Sequence, residues 1–405
     1  MNISLRTPFT KKTPPPSPAP ERAPHVALVP PPPAPPSRSR ALTAAEVEAF
    51  GAELDQLRAE VIATVGEREA TYIRRVHACV RYTEIGGRTL LFAGWLPPAF
   101  VLGTGLLSVS KIVDNMELGH NVMHGQYNFL NDPEYRGDTF EWDTACPGDA
   151  WRHSHNYLHH NFTNILGKDR DLGYGVLRLT EHEAWEPRHR FQLLYAGALA
   201  TFFQWGVAMH DLELDRVRKG ERSRAEMRAE LGPVLRKMAR VGAKDYLLFP
   251  LLAGPSFLPV LLGNMSANLA RNLWAFTIIF CGHFTEDAET FPPESLETET
   301  RGAWYLRQLK GSSNLEGGPV FHFFTGNLSH QIEHHLFPDV PALRYAEMAV
   351  KVREICERYG QHYNTGSLSS QFRSVVSRIV RLSSPTPAEV AARRDARSPR
   401  LRVLS

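Results

Sequence analysis

Apolar residues along this chain gather in three long uncharged runs. Residues 89–110 lie between Arg88 and Lys111 and are interrupted by Pro97-Pro98; 191–209 form the second run; 246–270 form the third, which continues past Arg271 to Phe284. Each approaches or exceeds the ~20 residues a helix needs to cross a bilayer, longer than a core helix requires. The pattern predicts an all-α protein: an integral membrane helical protein with about four membrane-embedded helices and a cytoplasmic helical cap. Residues 246–284 read as a helical hairpin and 191–209 as a re-entrant or in-plane segment. The 89–110 run is too short for two crossings unless its first helix begins well before Arg88. Helical patterning starts at Thr43, where Thr-Ala-Ala-Glu forms a capping-box motif ahead of Val47, Phe50 and Leu54.

The ends differ from the middle. Residues 1–42 contain TPPPSPAP and PPPPAPPSRSR, which favour extended conformations and offer little to bury, so a disordered tail is expected there. Residues 379–405 read as a second, Arg-rich disordered tail, leaving 43–378 as the catalytic domain. These polar ends pull the mean hydropathy down to −0.28 and conceal the apolar centre. A formal charge of +3 gives no argument for nucleic acid. Its distribution is more informative. Arg216, Arg218, Lys219, Arg222, Arg224, Arg228, Arg236, Lys237, Arg240 and Lys244 crowd 211–245, which places that segment on the cytoplasmic side, together with Arg74, Arg75, Arg81 and Arg88. The four cysteines form no CxxC pair and read as reduced thiols. No apolar core of a secretory signal precedes them, so the expected location is the cell membrane, multi-pass, with the working site facing the cytoplasm.

Seventeen histidines are present, and their spacing is the strongest chemical signal. His120-Asn-Val-Met-His124 follows the first apolar run; a spacing of four puts both imidazoles on one helix face, as a shared metal requires. His155, His159 and His160 form HxxxHH, whose adjacent pair can address two different ions. His330, His334 and His335 repeat HxxxHH shortly after the third run, which His283 itself nearly closes. Burying so many imidazoles without a metal would leave many polar groups unpaired. Zinc sites use about three protein ligands, so eight or nine histidines imply two ions, and an imidazole-rich site suits oxygen-activating iron. The clusters stand at the ends of the apolar runs rather than along a path through them, which argues against a metal transporter.

The order HNVMH, HNYLHH, HQIEHH, with the runs HNYLHHNFTN and GNLSHQIEHHLFP, resembles the membrane fatty-acid desaturase family, in its bacterial acyl-CoA and linoleoyl-CoA branch, over about residues 45–375. The resemblance implies two iron ions (Fe2+) bound by His120, His124, His155, His159, His160, His283, His330, His334 and His335, the eight box histidines also being catalytic. In the third box the family places Gln or His three residues before the final pair; here Gln331 stands there and His330 precedes it, and the four-residue spacing selects His330. Asp114, Glu117, Asn156, Asp169, Asp171 and Glu333 flank the boxes and could orient ligands, and Trp151 with Arg152 could meet a carrier's phosphates.

The implied reaction consumes O2 and two external electrons and introduces a cis double bond into a long-chain acyl group carried as acyl-CoA or acyl lipid. The alternative is a hydroxylase on the same scaffold. The chain carries neither a haem-cytochrome motif nor a ferredoxin-type cysteine set, so the electrons are expected from a separate donor, a ferredoxin or similar protein with its reductase. Membrane lipid is the other expected partner.

Overall fold

The computed structural model describes residues 39–210, 212–220 and 222–391; of the tails expected at 1–42 and 379–405, residues 1–38 and 392–405 lie outside the described residues. The architecture is all-α, with two three-residue strands, Asn314–Glu316 and Thr365–Ser367, paired in parallel beneath the site.

Helix α1 (Ala44–Ile62) starts at the capping box read from the sequence, with Thr43 and Glu46 satisfying each other's backbone N–H groups. Helices α2 (Glu67–Phe92) and α3 (Pro97–Val113) form an antiparallel hairpin. Because α2 begins at Glu67, the first helix does start far upstream of Arg88, and the apolar run is the tip of the hairpin, turning at 93–96. The two helices touch backbone to backbone at Gly87, where a Cβ would stand 2.8 Å from Leu107 N and 2.9 Å from the Gly103 carbonyl. The second run breaks at Phe202 into α4 (Gln192–Thr201) and α5 (Phe203–His210). Helix α6 (Arg224–Ala243) continues through 244–252, reverses at 253–256 and returns as α7 (Phe257–His283), the hairpin expected from 246–284. The cap is built from α8 (Arg301–Lys310), α9 (Gln331–Leu336), α10 (Tyr345–Arg358) and α11 (Leu368–Leu382).

No described helix is long and apolar enough to cross a membrane. The longest apolar candidate, α7, buries Asn264, Asn268, Arg271 and Asn272 along its length. Arg88 and Lys111, read as flanks of an apolar run, are also drawn inside. Lys111 Nζ lies 2.7 Å and Arg88 Nη2 3.2 Å from the buried Asp245 carboxylate, which ties the first hairpin to the second. Residue 378 falls inside α11, and beyond that helix Glu389 accepts hydrogen bonds from the buried Arg178 guanidinium and the Trp185 N–H.

Candidate metal centre

Local helix geometry brings the histidine boxes together. Helix α3 widens into a π-helical turn over Asp114–Gly119 before His120–Met123 resumes the α-helix. Gly326, at φ +68°, lets the chain before the third box approach that turn; a Cβ there would collide with the Met116 carbonyl at 2.2 Å. The second box is itself π-helical over Arg152–His159. A π turn closes between residues i and i+5, so His159 and His160 both return to the face occupied by His155. This explains why HxxxHH can present three rings to one volume.

Four groups of ligand atoms result, each lying within 4.8 Å of one another: His120, His124, His155 and His334; His159, His283 and His335; His160, His334 and His335; and His155, His159 and Asp171. His120 Nε2 and His155 Nε2 are 3.3 Å apart. The Nε2 atoms of His124, His160, His334 and His335 are buried without a hydrogen-bond partner among the described residues. Each such orphan costs about 1–3 kcal/mol unless a cation accepts its lone pair. Burial first, and neighbouring imidazoles second, hold His120, His124, His160, His334 and His335 well below the usual histidine range, so these rings are neutral and ready to donate. This donor set fits a metal.

His330, chosen on spacing, belongs to none of the four groups, although its Nε2 is also buried without a partner among the described residues. It precedes α9 with non-helical φ −99° and ψ 56°, so its spacing to His334 does not define a helix face. Its ring packs on His322 at 4.5 Å instead. Gln331, the first residue of α9, faces inward with its amide nitrogen 2.8 Å from His283 Nε2.

The opposite ring nitrogens are held from outside. His159 Nδ1 donates to Asp169, 3.0 Å from both oxygens, and His155 Nδ1 lies 3.2 Å from Asp171. Burial depresses the basicity of both rings; at His159 the charge and hydrogen bond of Asp169, together with the Asp171 charge, more than offset it and the pKa rises, whereas His155 stays lowered. The other candidates from the sequence make structural hydrogen bonds instead. Glu117 accepts from Tyr72 and Asn327, Glu333 from Asn314 and Tyr363, Asp114 from the Asp143 N–H, while Asn156 donates to Met123 O. Trp151 stacks on His155 at 4.4 Å, and Arg152 is spent on the carbonyls of Gly137 and Phe140 and on Asp149, so neither faces a phosphate. Several contacts escaped the sequence reading. Gln308 Oε1 accepts from His335 Nδ1 at 3.0 Å, the Tyr345 hydroxyl lies 3.3 Å from His334 Nδ1, and His210 Nε2 lies 3.4 Å from Asp171. None has a local signature, because each is brought in from a distant element.

A cavity adjoins the rings of His120, His155, His159 and His283. Met116, Trp142, Trp151, Phe203, Ile279 and Leu328 give it largely apolar walls, and Arg271 and Asn272 lie along it. Such walls suit an apolar ligand brought against a metal.

A helical scaffold with inward-facing histidine boxes beside an apolar cavity defines a metal-dependent enzyme acting on hydrocarbon chains. The chain belongs to the fatty acid desaturase family, whose model matches residues 93–367, and it is an oxidoreductase that desaturates fatty-acyl chains. It is 44% identical over 348 residues to the NADPH-dependent stearoyl-CoA 9-desaturase of Mycobacterium tuberculosis, covering 85% of this chain and 82% of that protein. It is 27% identical over 287 residues to the sn-1 linoleoyl-lipid 6-desaturase of Synechocystis, covering 68% of this chain and 77% of that protein.

Proposed function

We propose that this protein inserts a cis double bond near the middle of a long-chain acyl-CoA, using two iron ions, O2 and two electrons from a separate donor. The observation that carries the reading is an apolar-walled cavity beside His120, His155, His159 and His283, whose ligand groups also contain His124, His334 and His335 with buried, partnerless nitrogens. His120, His124, His155 and His334 would hold one ion, and His159, His283 and His335 the other, with His160 between the two groups. Bound iron supplies the oxygen activation needed to remove hydrogen from an unactivated methylene. The chain's own residues do the rest. Asp169 and Asp171 fix ring orientation, while Trp142, Trp151 and Ile279 hold the methylenes and keep water from the reacting carbons. Stearoyl-CoA is the first substrate to try, because the acyl-CoA relative covers more of the chain at higher identity than the acyl-lipid one.

A membrane setting belongs to the same proposal. The hairpin tips expose Trp95, Leu96, Val101, Leu102, Leu251, Leu252, Leu258 and Leu262, and they adjoin through the Ser256 hydroxyl's bond to the Phe92 carbonyl. So large an apolar patch suits lipid contact at the cell membrane, with the cap toward the cytoplasm. The test is product analysis of purified protein given stearoyl-CoA, reduced ferredoxin and either air or argon. An unsaturated product formed only in air supports the reading; a hydroxylated product, or none, overturns it.

A further inference from the structure

The end of the cavity away from the histidines is polar, and nothing in the metal chemistry uses it. Arg271 sits twelve residues before His283 on α7, about 18 Å along the helix at 1.5 Å per residue. It is 1% exposed, yet among the described residues it forms no ion pair; its guanidinium donates to the Asp143 carbonyl at 3.5 Å and to Asn272 Oδ1 at 3.1 Å. Around it, Gln204 Oε1 and Thr144 Oγ1 are buried polar atoms without a hydrogen-bond partner, and both residues line the cavity. A buried polar group left unpaired against hydrocarbon costs about 1–3 kcal/mol. Because Arg271, Asn272, Gln204 and Thr144 are all nearly inaccessible, this end has no room for a bulky acyl carrier and can receive only the far end of the chain.

We propose that Arg271, with Gln204 and Thr144, forms a polar floor that selects acyl chains by what their far end carries. A plain methyl end long enough to reach the floor closes hydrocarbon over the guanidinium and the two unpaired oxygens and returns no hydrogen bond. Such chains bind poorly, while one of the same length ending in a hydroxyl pairs with these groups. Shorter plain chains end before the floor and are indifferent to it. The discrimination resides in binding, away from the reacting carbons, so it moves KM and leaves kcat nearly constant.

This inference rests on the desaturase reading, and the test separates the two. Full-length protein is assayed with saturated acyl-CoAs from myristoyl to behenoyl and with their ω-hydroxy counterparts. The wild type should show KM rising about tenfold at the first plain chain that reaches the floor, with the ω-hydroxy chain of that length restored. Arg271→Met should abolish that difference, and Arg271→Lys should retain it. Should Arg271→Met fail to fold, Gln204→Leu and Thr144→Val each remove one oxygen and should shrink the difference. An identical KM ladder for plain and ω-hydroxy chains in wild type, or one unchanged in folded, metal-loaded Arg271→Met, overturns the polar floor. Turnover of the shorter plain chains reports on the desaturase reading separately, since the floor does not touch them.

Discussion

Asp169 gives the sharpest single-residue test of how the protein holds its metal. Its side chain is fully buried and accepts four contacts: His159 Nδ1 at 3.0 Å from each oxygen, the Asn164 N–H at 2.7 Å and the Asp171 N–H at 2.9 Å. Asp169→Asn keeps the shape but removes the charge and turns one acceptor into a donor. One of the amide's N–H bonds must then face another donor, either the ring of His159 or a backbone N–H. Losing a carboxylate that orients a metal-bound imidazole weakens metal affinity about 10–100-fold, which is about 1.4–2.7 kcal/mol. The assay is competitive titration of metal-free protein with Co2+ or Fe2+ against a chromophoric chelator, with thermal unfolding as the check that the variant is folded. The weakened affinity should appear in a variant that still unfolds cooperatively, with its metal-free melting temperature lowered by the mispaired amide. A folded Asp169→Asn protein that binds metal as tightly as wild type would refute the role assigned to this carboxylate.

Other outcomes follow from the same geometry. His330→Ala should keep full metal content, whereas His335→Ala should lose it, as metal analysis of the purified variants would show. Lys111→Met leaves buried Asp245 with Arg88 and the Asn268 amide as its close partners and should destabilise the protein by about 3 kcal/mol, read from chemical denaturation in detergent. Metal-free protein should lose stability as pH falls below about 6.5, the unfolded histidine value. In that range the unfolded chain binds protons that depressed histidines, among them 120, 124, 155, 160, 330, 334 and 335, refuse while folded. Buried Glu117, Glu333 and Asp114, raised to about 8, 7 and 6, and the raised His159 act in the opposite sense but are outnumbered. Melting temperatures between pH 8 and 5.5 check this, and a flat or rising profile on acidification contradicts it.

The chemistry was more legible in the sequence than the architecture. Imidazoles four and five residues apart announce a shared metal because helical turns, α or π, make such residues neighbours, and eight of the nine chosen histidines do converge. His330 misled because spacing is meaningful only inside a helix, and α9 begins one residue later. Asp169 and Asp171 were visible as candidates, but nothing local distinguishes them from Glu117 or Glu333, which accept from the Asn327 and Asn314 side chains instead. Gln308 and Tyr345 were out of reach, since tertiary packing alone carries them to His335 and His334. The apolar runs located both hairpins yet concealed their lengths. Arg88 and Lys111 look like interfacial flanks, and only the structure supplies the buried Asp245 that takes them inside.

The most direct test of the central claim is the iron content of full-length protein, measured alongside O2-dependent desaturation of stearoyl-CoA in the same preparation and in His160→Ala. Two irons per chain in an active wild type, with metal and activity lost together in the folded variant, is the predicted result. A wild type that desaturates without stoichiometric metal, or a His160→Ala protein with full iron and full activity, would contradict it.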